Sequence, residues 1–182
     1  MADAQQFELF MQRYQNMVFS TAMRLLANQT EAEDIAQEAF LRAYDHFDQL
    51  QASPTAGGWL KRVATNLCLN HLTRYRARWT FFSEMAVGSA DEESEPIEFA
   101  APESIEEKLE LSDRHEVVEQ ALQKLPTAQR VSLVLYHLEG LRYEEIAAKL
   151  NVSLGKVKTD IFRAREALRK KLRAPLAEDL IS

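Results

Sequence analysis

Cysteine is nearly absent from this 182-residue chain, and the single Cys68 has no partner for an internal disulfide. Its apolar neighbours mark it as a helix-packing residue of a chain kept in a reducing, cytoplasmic compartment. Four scattered histidines add no ligand spacing that would suit zinc. Glycine and proline are scarce, five of each, and no useful alternating apolar–polar run occurs. A sheet-built fold is therefore excluded and an all-α chain expected. No apolar run reaches the length of about 18 residues that a membrane-crossing helix needs, so no membrane insertion is expected. The opening Met-Ala-Asp-Ala-Gln-Gln lacks the basic-then-apolar layout of a signal peptide. There is no phosphate loop and no credible nucleophile–base pair. No catalytic residue, metal or cofactor is expected, and the chain does not read as an enzyme.

What the chain has is charge, unevenly placed. The formal net charge is −6, which alone argues against a nucleic-acid binder. Residues 149–173, however, hold nine Lys/Arg against two acids, net +7, and residues 51–79 hold five against none. Residues 1–50 carry three basic and eight acidic residues, net −5, and residues 80–112 one Lys against ten acids, net −9. Two separate basic surfaces on an acidic chain point to two DNA contacts. The acidic parts fit a different task, such as docking a basic protein surface or threading a basic channel.

Hydrophobic residues make up 46% of the chain, enough for real cores in one or two small domains. The first helical segment spans 4–49. Phe7, Phe10, Met11, Tyr14, Met17, Val18, Ala22, Leu25 and Leu26 recur at helical spacing. Thr30, with Glu33 three residues on, predicts a capped second helix running from Ala32 to Phe47. Its apolar stripe is Ile35, Ala39, Phe40, Ala43 and Phe47. Asp34, Gln37, Glu38 and Arg42 lie on the polar side, for which a solvated face is the default reading. Pro54 and the pair Gly57-Gly58 mark residues 51–58 as a loop. A long helix is predicted from Trp59 to about Arg78, packing Trp59, Leu60, Val63, Ala64, Leu67, Cys68 and Leu72. Its polar side carries Lys61, Arg62, Asn66, Asn70, His71 and Arg74. Cations for phosphate, amides for base edges and aromatics for stacking suit a single DNA strand, although a plain basic surface helix has the same composition.

Residues 81–103 read as a flexible acidic linker between two small helical domains, 1–80 and 104–182. A helix is predicted over about 104–124, with Val117, Val118, Ala121, Leu122 and Leu125 inward. Pro126-Thr127 opens another, which Gly140 ends. Residues 142–173 then read as a helix-turn-helix. Ile146, Ala147 and Leu150 share a face, Asn151 ends the short helix, Val152 plugs the corner and Ser153 caps the next helix. In that helix Val157, Ile161, Ala164 and Leu168 point inward. Lys156, Lys158, Thr159, Phe162, Arg163 and Arg165 point outward, as on a recognition helix.

These segments together resemble the extracytoplasmic-function (ECF) sigma factors of the sigma-70 family. Residues 32–44 are similar to region 2.2, residues 58–72 to regions 2.3 and 2.4, residues 125–147 to region 4.1 and the start of 4.2, and residues 152–165 to the region 4.2 recognition helix. The resemblance covers almost the whole chain. It implies a sigma factor that directs core RNA polymerase to promoters by melting the −10 element and binding the −35 element. It implies that Asp34, Gln37, Glu38 and Arg42 dock on the β′ clamp helices, and that the polymerase β flap is a further partner. The loop from Leu50 to Gly58 matches the loop that captures a flipped −10 base. Leu50, Lys61, Arg62, Asn66, Asn70 and Arg74 thereby become −10 residues. The acidic linker resembles one that threads the active-site cleft. Lys156, Lys158, Thr159, Asp160, Phe162, Arg163 and Arg165 match the −35 interface. An anti-sigma factor is a further implied partner. Two positions depart from the family: Asp160 stands where Arg is common, and Leu50 where a bulkier group often begins the loop. At Asp160 an acid would either repel phosphate or accept from a cytosine amino group.

Two rival readings carry less of the sequence. A conventional helix-turn-helix regulator explains 142–173 but not the basic helix at 59–78, the acidic helix or the acidic linker. A helical interaction protein that never touches DNA leaves both basic segments unexplained.

Overall fold

The computed structural model describes the backbone of residues 2–85 and 111–179 and the side chains of residues 4–74 and 115–173. All regular elements among them are helices. They are α1 (Ala2–Leu26), α2 (Gln29–Asp45), α3 (Phe47–Leu50), α4 (Ala56–Met85), α5 (Leu111–Gln123), α6 (Thr127–His137), α7 (Tyr143–Leu150) and α8 (Leu154–Asp179). The expected linker from 86 onward and the start of the helix expected at 104 lie outside the described residues. None of the described helices is long and apolar enough to cross a membrane.

Helices α1, α2 and α4 form the first unit. The stripe predicted for α2 is its buried face: Ile35, Ala39, Phe40, Ala43 and, at the start of α3, Phe47. All but Ile35 share a cluster with Phe10 and Val18 of α1 and Leu60 and Ala64 of α4, while Ile35 joins Ala22, Leu25 and Leu26. Phe7, Phe10, Tyr14 and Phe47 add edge-on ring contacts at 4.9–5.5 Å between centroids, the favoured aromatic geometry. The cap of α2 differs from expectation. Asn28, in extended backbone, accepts the Glu31 N–H on its Oδ1 at 3.0 Å. Thr30 sits inside the first turn, and Glu33 takes a bond from Gln29 instead. Helix α4 also starts earlier and ends later than expected. Its first turn includes Gly57 and Gly58, and its backbone runs to Met85, into the expected linker. Gly57 has a tertiary reason: a Cβ there would stand 3.1 Å from the Tyr14 ring.

Helices α5–α8 form the second unit around Ala121, Leu122, Val131, Val134, Leu135, Ile146, Val157, Ile161 and Ala164. Asn151 adopts the left-handed conformation (φ 53°) that ends α7, and Ser153 Oγ accepts the Lys156 N–H at 3.2 Å to open α8. Gly140, with φ 68°, turns the chain after α6. Val118, expected inward, is exposed.

The two units share a core. Ala22, Leu25 and Leu26 of α1 and Cys68 and Leu69 of α4 belong to one cluster with Leu122, Leu125, Val131 and Val134. At the seam Arg130 is only 4% exposed. It donates to the Leu25 carbonyl at the end of α1 (3.3 and 3.1 Å) and to the Leu125 carbonyl just past α5 (3.0 Å). A guanidinium there caps carbonyls that have no partner within their own helices and complements the negative ends of two helix dipoles. Burial lowers its pKa from the usual arginine range. Arg24 Nε pairs with Glu119 Oε1 at 2.6 Å, and Lys61 Nζ with Glu139 Oε1 at 3.5 Å.

Candidate nucleic-acid and protein-docking interfaces

On α4 the sequence-predicted groups fall on one side. Arg62, Asn66, Asn70 and Arg74 are all exposed, at successive turns of the helix. None of the four makes a side-chain bond or ion pair to another described residue. The opposite side, Leu60, Ala64 and Cys68, is buried, as is Leu69 at the row's edge. The result is a row of cation, amide, amide and cation, about 6 Å apart along the axis and winding through roughly 120° around the helix. Lys61 stands apart from this row. Its ammonium is engaged by Glu139 and by the Leu138 carbonyl at 3.1 Å. Leu50 is 6% exposed and lies in the core of the first unit, so its side chain anchors the loop that follows rather than facing outward.

On α8 the outward groups divide into two kinds. Lys158, Phe162 and Arg163 are exposed, Phe162 by 61%, and make no side-chain bond to another described residue. Thr159 is exposed, but its hydroxyl donates to the Gly155 carbonyl at 2.9 Å, leaving it to act as an acceptor. Lys156 and Arg165 are held. Lys156 Nζ donates to both oxygens of Asp160, at 3.2 and 2.9 Å. Asp160 itself is 7% exposed. It lies on the inner edge of the helix beneath Lys156, in place of the outward position expected of a group that meets a base. Arg165 donates to His137 Nε2 at 3.2 Å and lies 5.5 Å above the Tyr136 ring. His137 can accept only while that nitrogen is unprotonated. Partial burial first, then the adjacent Arg165 charge, lowers its pKa. Tyr136 and His137 were not singled out in the sequence because nothing local ties the end of α6 to α8.

On α2, Asp34, Gln37 and Arg42 are exposed and Glu38 half-buried, with Arg42 Nε bonded to Glu38 Oε1 at 3.0 Å. Two residues missed by sequence reasoning share this outer side: Leu41, 64% exposed, and Tyr44, 58% exposed. A leucine four residues after Gln37 on an otherwise polar side was the available signal. Exposed apolar groups ringed by charge are a common makeup of a protein-docking surface.

Known proteins share both the sequence and its order of parts. The family descriptions Sigma-70 region 2 and Sigma-70 region 4 match residues 10–78 and 115–168, respectively. The chain is 37% identical over 162 residues to the ECF RNA polymerase sigma factor SigW of Bacillus subtilis (strain 168), covering 88% of this chain and 85% of that protein. It is 34% identical over 176 residues to the RNA polymerase sigma-H factor of Pseudomonas aeruginosa, covering 97% and 91%. Among solved structures it resembles the sigma factor RpoE of Bartonella quintana in complex with the anti-sigma factor NepR. That match has 22% identity, covers 92% of this chain and 96% of that one, and has a TM-score of 0.47. The chain belongs to the sigma-70 family, in its extracytoplasmic-function group. It is accordingly an RNA polymerase sigma factor.

Proposed function

We propose that this sigma factor divides its work among the three surfaces described, with residues 1–80 and 104–182 acting as separate domains joined by the acidic segment 81–103. The outer side of α2, with Asp34, Gln37, Glu38 and Arg42 flanked by Leu41 and Tyr44, docks core RNA polymerase on its β′ clamp helices. The row Arg62, Asn66, Asn70 and Arg74 holds the unpaired −10 strand, cations on phosphates and amides on base edges. Lys158, Thr159, Phe162 and Arg163 enter the −35 major groove, with Lys156 and Arg165 at the edges. The second unit further contacts the polymerase β flap, and an anti-sigma factor restrains the free protein in the cytoplasm. The observation that carries this reading is the α4 row. Four polar groups suited to a strand stand exposed on one side of a helix whose other side is core.

The test is co-elution with core polymerase followed by run-off transcription on a promoter library. The wild-type chain co-elutes without DNA and initiates at a shared pair of sequence elements. Asp34→Lys with Glu38→Lys weakens core binding by about 2–5 kcal/mol, the range for truncated interface charge pairs, with helicity unchanged by circular dichroism. Unchanged core affinity in that double variant would return α2 to a solvated face. A conventional regulator would bind duplex DNA yet need no core enzyme.

A further inference from the structure

The two held cations of α8 are held in different ways. Lys156 is paired with a carboxylate, and both of its bonds go to Asp160. That pair is neutral as a whole, so it offers DNA little net charge. Arg165 is held by groups that carry no charge. Its Nε donates to His137 Nε2 at 3.2 Å, and its Nη2 donates to the same nitrogen at 3.1 Å. Its guanidinium carbon stands 5.5 Å from the centre of the Tyr136 ring. Burial first, then the adjacent Arg165, lowers the His137 pKa, so the ring is neutral at neutral pH. Arg165 is thus fixed along one edge and over one face with its positive charge intact.

A guanidinium carries five N–H donors in a rigid fork. His137 occupies the two on the Nε side. The end-on pair, from Nη1 and the second Nη2 hydrogen, makes no bond to another described residue. That pair has the geometry that two oxygens of a phosphate accept. The holding residues also have a defined place. Tyr136 and His137 are the last two residues of α6, and the Tyr136 ring lies 4.8 Å from that of Tyr143, the first residue of α7. Helix α7 is the first of the helix-turn-helix, the one that crosses the DNA backbone while the second enters the groove.

We infer that Tyr136 and His137 are positioning residues: they form an uncharged cradle that aims the free edge of Arg165 at one backbone phosphate of the −35 duplex. This rests on the −35 assignment of α8 above. The cradle orders Arg165 before DNA arrives. A loose arginine would lose its rotamer freedom on binding, a cost of about two- to tenfold in affinity for one side chain. An acid at position 137 would hold Arg165 as firmly but cancel its charge, as Asp160 does for Lys156. A neutral acceptor holds it and leaves the charge for the phosphate.

The experiment uses holoenzyme, the full chain on core polymerase, with a promoter from the library selection and single-base −35 variants of it, at two salt concentrations. Arg165→Ala lowers affinity equally across the variants and reduces the salt slope by about one, as a phosphate contact does. His137→Leu and Tyr136→Leu each lower affinity by about two- to tenfold, again without base preference. His137→Gln, whose amide oxygen can stand in for Nε2, and Tyr136→Phe, which keeps the ring, restore most of the loss. In an Arg165→Ala background neither leucine substitution has a further effect. That result separates positioning from mere support of the fold, because a disturbed α6 would lower affinity with or without Arg165. Leucine substitutions that still lose affinity in the Arg165→Ala background overturn the cradle. An Arg165→Ala loss confined to one base pair also overturns it, since Arg165 would then read a base. If Arg165→Ala costs nothing while Arg163→Ala does, the phosphate contact fails and the −35 reading stands. If neither costs anything, the −35 reading fails and the cradle with it.

Discussion

The two basic helices differ in how their cations are held. On α4, Arg62 and Arg74 bracket two amides and make no bond to other described residues. On α8 the exposed Lys158 and Arg163 are flanked by Lys156 and Arg165, which are held by Asp160 and by His137. A free row suits a strand that is itself flexible, since each phosphate can come to its cation. A duplex is rigid, and its groove demands side chains already aimed, so anchored edges around a freer centre suit it. The difference teaches that net charge per segment, +5 and +7 in the sequence, conceals how much of that charge is available.

The sharpest way to break this comparison is to remove arginines from each helix and ask which nucleic acid notices. Arg62→Ala with Arg74→Ala should cost single-strand binding about 1.5–3 kcal/mol per lost charged contact and lower the salt slope by about 0.7 for each. Arg163→Ala should leave the strand unaffected and cost duplex binding about 1–3 kcal/mol at one base position if it contacts guanine. Filter binding with a strand and a duplex at two salt concentrations gives all four numbers. Equal losses on both nucleic acids would erase the distinction between the helices.

A smaller effect tests the held edge of α8. Asp160→Asn removes the carboxylate that neutralises Lys156. Duplex affinity should rise uniformly across −35 variants, with a salt slope steeper by about one, and stability should fall because the buried Asp160 carboxylate takes two bonds from Lys156. A changed base preference would mean that Asp160 reads a base after all, against its burial. The smallest effect concerns His137. Its pKa is lowered on folding, so the unfolded chain takes up the proton first as pH falls through the ordinary histidine range. The stability it contributes is therefore present above about pH 6.5 and lost below it, and Arg165 is freed as the ring charges. Because His137 is exposed, duplex affinity at pH 5.5 relative to pH 7.5 should differ only modestly between wild type and His137→Gln. A large difference would give this pair more weight than its exposure warrants.

Much of this was legible in the sequence, for local reasons. The helix-turn-helix could be read because Asn151, Ser153 and the Val157–Ile161–Ala164 spacing act within a few residues of each other. The α2 stripe was legible for the same reason. What escaped depended on neighbours distant in sequence. The glycines at 57 and 58 read as a loop, but Tyr14 packs so close to Gly57 that the helix uses its missing side chain. Asp160 came to the −35 set through the family resemblance rather than through helical periodicity, and its burial beneath Lys156 depends on packing that the sequence does not show. Leu50 read as part of a base-capturing loop, yet α3 turns it into the core. The seam was invisible throughout. Arg130 reads as one more arginine until its three bonds to two carbonyls are seen.

Cys68 carries one last consequence. Burial, with Glu139 adding to it, pushes the thiol up to about 12. At neutral pH the thiol therefore stays protonated, and it is the thiolate that attacks peroxides and disulfides. As the chain's only sulfhydryl, and a buried one, Cys68 makes a poor thiol sensor of oxidants while the chain is folded. If the promoters it serves respond to oxidative damage, the thiol chemistry that detects it belongs to another molecule.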